Sequence, residues 1–327
     1  MKVLILTVGD AHVASTRYRF TQFEKGLQLA GVEMLHRQAS SFRDWDLARN
    51  MDLVVVQKRL MRSSWVKRLR KFAHRLIFDT DDAIWEPHGK AHSWWTRLRT
   101  HRRLRAIADA ADCCTVPNEY LAAYLRPLAR RVALIPMALD GVEWYPAQER
   151  KPGPLRLGWA GAPPNLAYLA RLEDVIKDFQ KERPGTELIV YCGEKPTFVS
   201  GISYIYHPFK LGTEADVVRT FDIGLLPLPE NAFAAGKSPI KALQYAACEI
   251  PCIASPVGAT CEIVCDRQFG LNAKSPDDWK AALLELADSS VLRERLGSAA
   301  RIRFLEDFTR EAVQERLIAC WREVLDS

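Results

Sequence analysis

Short apolar runs, each followed by a loop and a helix-length stretch, recur through the 327 residues, and this alternation limits the fold more than any other feature. Lys2–Thr7 is apolar and β-branched, and the loop Val8–Ala14 carries Gly9 and Asp10. Ser15 is placed to cap a helix of about fifteen residues, which Gly31 ends. Val32–His36, Asp52–Gln57, Leu76–Asp79, Cys113–Val116 and Arg131–Ile135 read as further strands. The pattern starts afresh at Leu155–Ala160 and continues through Glu187–Cys192, Ile202–Tyr206, Asp222–Pro227 and Cys252–Ser255. Strands that alternate with helices form α/β layers around parallel sheets. The chain exceeds the size at which a single core usually splits, so two domains are expected. The polar, proline-bearing linker Ala147–Pro154 sets the boundary near residue 150, giving domains 1–150 and 151–327.

The stretch Gly236–Gly258, GKSPIKALQYAACEIPCIASPVG, carries the most chemistry. Ser238 is a good N-cap and Pro239 suits the first helical position, so a short helix is expected from Pro239 to Cys248. Pro251 stops it before the buried strand. Lys241, Gln244 and Cys248 share one face, and Lys237 stands just outside the N-terminus. A helix start with two lysines suits an anion, because its free N–H groups and positive dipole end already favour one. Gln244 is placed to hydrogen-bond a sugar or ribose hydroxyl. The competing reading is a surface helix with solvated lysines.

These residues resemble the donor-binding segment of group 1, family 4 glycosyltransferases with the GT-B fold. The family form is K-x-x-E-Y-M-A-x-G-x-P-V-V-A-S followed by a glycine, and here it reads KALQYAACEIPCIASPVG. FDIGLLPLPE, from Phe221, matches the family's D-I-G-L-x-P-L run. The resemblance implies two Rossmann-like domains with parallel sheets facing a central cleft, and a last helix, near 308–325, packing back on the first domain. It implies that Lys237, Ser238 and Lys241 meet the diphosphate of a UDP- or GDP-type sugar donor. Gly161, Ala162 and Asn165, in GWAGAPPN, stand where the family places a second donor-binding loop. The two carboxylates of the family's E-x7-E pair are replaced by Gly236 and Gln244. A neutral amide can exchange hydrogen bonds with a hydroxyl but lacks charge assistance.

In the first half, Arg17 and Arg19 lie in the first turns of a helix that follows a strand's carboxyl end, so either is a candidate for a ligand crevice. Asp79, Asp81 and Asp82 form a D-x-D pattern capable of holding a divalent cation. The resemblance instead implies a fold without bound metal, with Asp81 or Asp82 orienting the acceptor hydroxyl. Gly9 is assigned to the acceptor side. Residues 1–150 hold 25 Lys/Arg against 16 Asp/Glu, while the rest is slightly acidic, so the first half is expected to meet an anionic partner. Between Lys58 and Arg105 there are 14 basic residues and four acidic ones, interleaved with Trp94 and Trp95 and including Arg99 and Arg102. That combination suits an anionic membrane surface or a nucleic-acid backbone, and a solvated basic face is the plain alternative.

No run approaches the ~20 apolar residues of a membrane span, and MKVLILTVGDAH does not read as a signal peptide. The eight cysteines show no C-x-x-C pair and read as reduced, mostly buried thiols of a cytoplasmic protein. The expectation is a retaining, metal-independent hexosyltransferase with no cofactor beyond its nucleotide-sugar substrate. It would act on a hydroxyl of a glycolipid or polysaccharide precursor, peripherally on the membrane's inner face. A DNA-modifying glycosyltransferase and a non-catalytic nucleotide-sugar-binding module are the alternatives.

Overall fold

The computed structural model describes residues 1–10, 13–87, 91–148 and 153–327. Residues 149–152 of the expected linker and residues 11 and 12 of the expected first loop lie outside the described residues. By internal contacts the chain divides into two compact units. The first comprises Met1–Ala138, Ala232–Ser238 and Arg310–Ser327, and the second Leu139–Asn231 and Pro239–Thr309. The break thus falls between Ala138 and Leu139, ahead of the position read from the linker's composition.

The first unit is built on β1 (Lys2–Thr7), β2 (Glu33–Gln38), β3 (Leu53–Gln57), β4 (Leu76–Asp79), β5 (Cys113–Val116) and β6 (Val132–Leu134). They form one parallel sheet in the order β2-β1-β3-β4-β5-β6. Its central strands are buried on both faces, which is why they read as unbroken apolar runs. Leu4, Leu6, Val54 and Val56 pack under the helices Ser63–Phe72 and Trp94–Ala110 through Trp65, Leu69, Leu104 and Ile107. On the opposite face, Val3, Ile5, Val55 and Ile77 are covered by Val313, Leu317, Trp321 and Val324 of the helix Arg310–Asp326.

The long helix expected after Ser15 is interrupted. Ala14–Arg19 is helical, Phe20 leaves helical angles (φ −138°, ψ −56°), a 3-10 turn Thr21–Phe23 follows, and Glu24–Leu29 resumes the helix. Ser15 is not its cap: Val13 occupies that position without a side-chain bond.

The second unit repeats the theme with β7 (Arg156–Gly161), β8 (Glu187–Cys192), β9 (Tyr204–Pro208), β10 (Ile223–Leu226), β11 (Cys252–Ala254) and β12 (Gly270–Asn272). The parallel order is β12-β11-β10-β7-β8-β9, the doubly wound Rossmann arrangement. β12 was missed in the sequence because three residues are too few to show a pattern. Leu157, Val190, Leu225 and Ile253 form one core with Phe179, Trp279 and Leu283.

Candidate functional site

In open parallel sheets, ligands bind beyond the carboxyl ends of the strands where the order reverses. In the second unit that point lies between β7 and β10. The helix Ile240–Ala247 packs there through Tyr245, whose side chain is fully buried and donates to the Leu225 carbonyl at 3.2 Å. Gly224 makes room for that ring, since a Cβ there would stand 2.5 Å from it. Gly158 does the same for Phe221, at 1.9 Å. Burial pushes the Tyr245 hydroxyl's pKa well up, so it stays a neutral donor.

Every residue from Ala242 to Cys248 is buried, Gln244 included, so the solvated surface helix is ruled out. Lys241, in the first turn, remains half-exposed. Its charge is felt by the Cys192 thiol at the carboxyl end of β8, where burial dominates and pushes the thiol up.

Three details differ from the sequence reading. Pro239, not Ser238, stands at the helix cap, and its carbonyl accepts from Ala242 and Leu243. Gly161 does not leave an open approach, because the space of its missing Cβ is filled by the Trp159 indole at 2.3 Å. Ala162 precedes a 3-10 turn Pro163–Asn165 whose first two residues are prolines and have no N–H to offer. Asn165 closes that turn by donating its backbone N–H to the Ala162 carbonyl at 2.9 Å.

In the first unit the reversal lies between β1 and β3, and a charged cluster gathers there. Lys58, directly after β3, adopts left-handed backbone angles (φ 46°), which are uncommon for a non-glycine residue. Its ammonium lies 3.1 Å from Asp81 Oδ1, also contacts Asp82, and donates to Ser15 Oγ at 3.0 Å. Ser15 in turn donates to Asp81 Oδ2 at 2.6 Å. Burial, then the charge of Asp81, pushes Asp82 above the ordinary carboxylate range, against the pull of Lys58 and Lys237. For Lys58 burial acts downward, but Asp81 and Asp82 outweigh it and raise it. Ser15 and Lys58 were missed as functional partners. The signal available was two charged steps at the ends of neighbouring strands, Lys58 after β3 and Asp81-Asp82 just after β4.

The segment Ala232–Ser238 belongs to this cluster. Ser238 Oγ donates to the Asp81 carbonyl at 2.9 Å. Burial lowers the Lys237 pKa, offset in part by Asp82. Gly236 lies flat on the same loop: a Cβ would meet the Ala83 Cβ at 2.5 Å and its backbone N at 3.1 Å. The glutamate of the related enzymes therefore has no room at this position. We expect Gly236→Glu to lower the stability of the first unit by about 1–3 kcal/mol, the usual cost of overpacking. Urea unfolding checks this, and an unchanged stability would show the carboxylate is accommodated.

Arg19 is not a crevice residue. It is 3% exposed and forms a forked ion pair with Asp79, whose Oδ1 also accepts from Thr115 at 2.7 Å. Both Asp79 oxygens are thus engaged within the core, away from the role that a D-x-D ligand would give them. Arg17 remains half-exposed and stacks on Tyr18. Gly9 lies two residues beyond β1, and its carbonyl accepts from the Thr16 hydroxyl at 3.4 Å. On the helix Trp94–Ala110, Trp94 and Trp95 are 65% and 72% exposed and meet edge to face, with Arg99 and Arg102 exposed nearby. Among the described residues no helix is long and apolar enough to cross a membrane.

Residues 157–289 match the model of the family described as glycosyl transferases group 1. A search of the curated proteins finds no match. Among solved structures, sucrose-phosphate synthase from Thermosynechococcus elongatus is similar over 100% of this chain and 99% of its own, with a TM-score of 0.76 at 16% identity. A glycosyltransferase from Rickettsia africae matches over 99% and 98%, with a TM-score of 0.70 at 10% identity. Anabaena HepE, solved in complex with UDP, matches over 99% and 100%, with a TM-score of 0.67 at 12% identity. Residues 157–289 thus carry the group 1 glycosyl transferase pattern, and the chain has the GT-B fold.

Proposed function

We propose that the protein moves a sugar from a UDP-type donor to a hydroxyl acceptor with retention at the anomeric carbon, without a bound metal or cofactor. The observation that carries this reading is the buried helix Ile240–Ala247, with Lys241 in its first turn at the carboxyl ends of the strands. The departing diphosphate gains charge in the transition state. An ammonium and the positive dipole end of a helix stabilise that charge. Gln244 supplies a neutral amide for a donor hydroxyl. Asp81 and Asp82, held by Lys58, supply acceptors for the proton of the attacking hydroxyl.

UDP is the first donor nucleotide to test, because HepE was solved with it; GDP is the second. A thermal-shift panel of UDP, GDP, ADP and dTDP sugars decides. A ligand at about 100 times its Kd adds about 2.7 kcal/mol to the native state. No shift with any of the four removes the donor reading. Lys241→Ala is expected to cut turnover about tenfold or more with an unchanged melting temperature, because a charge contact on the leaving group is worth about 2–4 kcal/mol. Unchanged kinetics in a folded variant would reject that role.

The acceptor is read as a glycolipid or surface-polysaccharide precursor at an anionic membrane. The exposed Trp94–Trp95 pair beside Arg99 and Arg102 supports this, since indole rings settle at headgroup depth and arginines meet anionic lipid. Sedimentation with vesicles containing phosphatidylglycerol should be lost in Trp94→Ser/Trp95→Ser. Salt-dependent binding to duplex DNA, with no vesicle binding, would favour the nucleic-acid reading instead.

A further inference from the structure

The second sheet ends on β9, and that edge differs from the other sheet edges of the chain. The register settles which of its backbone groups face inward. Leu188 donates its N–H to the Ser203 carbonyl at 3.0 Å, and Phe209 donates to the Cys192 carbonyl at 2.9 Å. The odd-numbered residues between them therefore serve β8. The N–H and C=O groups of Tyr204 and Tyr206 point away from the sheet, and among the described residues nothing bonds them. Both tyrosines are held by side-chain packing against the core, and the Tyr206 hydroxyl donates to the Cys192 carbonyl at 3.1 Å. Pro208 has no N–H, so the outward ladder stops there.

Exposed edges are usually blunted by charge, by brevity or by a covering element. β2 carries Glu33 and Arg37. β6 is three residues long and follows Arg130 and Arg131, and β12 is three residues of which Gly270 and Leu271 are buried. The five residues of β9, YIYHP, include no lysine, arginine or carboxylate. Apolar side chains gather about it instead, since Ile205, Phe209 and Leu211 are all exposed. The connection from β8 to β9, residues 193–203, contains no helix, and its Val199 and Ile202 pack with Leu188 and Val190. The opposite face, with Ile189, Ile205 and His207, lies under an open concavity of about 830 Å³ bordered by Tyr145. Parallel sheets normally have both faces covered. At β9 both the edge and one face are bare.

We propose that β9 is a dimerisation edge: it pairs antiparallel with β9 of a second copy about a twofold axis at Ile205, joining two six-stranded sheets into one. The outward groups dictate that register. Tyr204 of one copy exchanges hydrogen bonds with Tyr206 of the other, and Ile205 faces Ile205 in the non-hydrogen-bonded position between them. A second copy suits this edge because the strand brings no like charges into opposition, and aromatic and β-branched cross-strand pairs are stabilising. The pairing also brings both Ile205 side chains together on the uncovered face. Sedimentation velocity of the full chain over a concentration series should show a monomer–dimer equilibrium. Ile205→Lys sets two ammonium groups face to face and should weaken dimerisation about tenfold or more, with the melting temperature reporting that the variant folds. A Cys261→Ser background removes an exposed thiol. In it, Ile205→Cys should cross-link to itself under diamide, because facing Cα atoms at such a pair stand about 4.5 Å apart, within the roughly 4.4–6.8 Å of a disulfide. Ser203→Cys, which the register sets opposite His207, should not. A monomer at every concentration overturns the proposal. So does a dimer that survives Ile205→Lys and leaves Ile205→Cys without a cross-link, since its contact then lies on another surface.

Discussion

Arg19→Met should lower the stability of the first unit by about 3–5 kcal/mol, because it strands a buried carboxylate. Asp79 is 1% exposed, and its Oδ2 accepts Arg19 Nε at 3.2 Å while Oδ1 takes a second guanidinium nitrogen and Thr115. The same guanidinium donates to the Ile135 carbonyl at 2.5 Å and the Pro136 carbonyl at 3.3 Å, so it ties the first helix to β4, β5 and the end of β6. Removing one partner leaves the other charge without compensation, whereas replacing both with apolar residues of similar volume often costs little. Urea unfolding of Arg19→Met and of Arg19→Met/Asp79→Leu provides the check. The double variant should recover much of the loss. A single-variant loss below about 1 kcal/mol would mean the pair is no more than a surface-type ion pair.

Raising the pH past 9 should weaken the second unit steeply. Burial pushes the Cys248 thiol up to about 12 from an ordinary 9.0 and pushes Cys252 up as well. Their folded-state pKa values are raised, so the unfolded chain releases these protons first. The stability they contribute is complete below pH 9 and is lost as pH climbs toward the folded values. Each thiol gives about 1.4 kcal/mol per pH unit, or about 5 kcal/mol for the two by about pH 11. Cys114 does the same for the first unit, also rising to about 12. Cys113 and Cys320 interact, which raises Cys113 and lowers Cys320, so Cys113 adds to the loss in the first unit above pH 9. Denaturant midpoints at several pH values, for the native chain and Cys248→Ala/Cys252→Ala, provide the measurement. The native slope above pH 9 should be about 2.7 kcal/mol per unit steeper than the variant's. Parallel slopes would sink the idea.

The sheets were legible because strands covered on both faces cannot alternate with polar residues. The runs LVVVQ and LIVYC announce themselves without any knowledge of their neighbours. What failed was whatever depends on a partner far along the chain. Arg19 sits at the start of a helix after a strand, a position that suits a ligand group, and only its meeting with Asp79, 60 residues away, makes it a core residue. Ser238 has the chemistry of a cap, yet its hydroxyl is drawn to Asp81, 157 residues earlier. The break at Phe20 has no glycine or proline to mark it. In the stretch Gly236–Gly258 the motif drew attention to Lys241 and Gln244, while Tyr245, which seats the helix against Gly224, was passed over.

The helix Arg310–Asp326 supplies the last layer of a unit that begins at the other end of the chain. A ribosome making this protein has therefore exposed Val3, Ile5, Val55 and Ile77 long before their cover exists. At about 5–20 residues per second, translating the intervening second unit takes on the order of 10–30 s. For that interval an apolar sheet face waits uncovered while the later unit has everything it needs to mature first. A nascent chain of this design gains from a chaperone that holds the face, and a chain stopped before residue 310 should aggregate more readily because that apolar face stays bare.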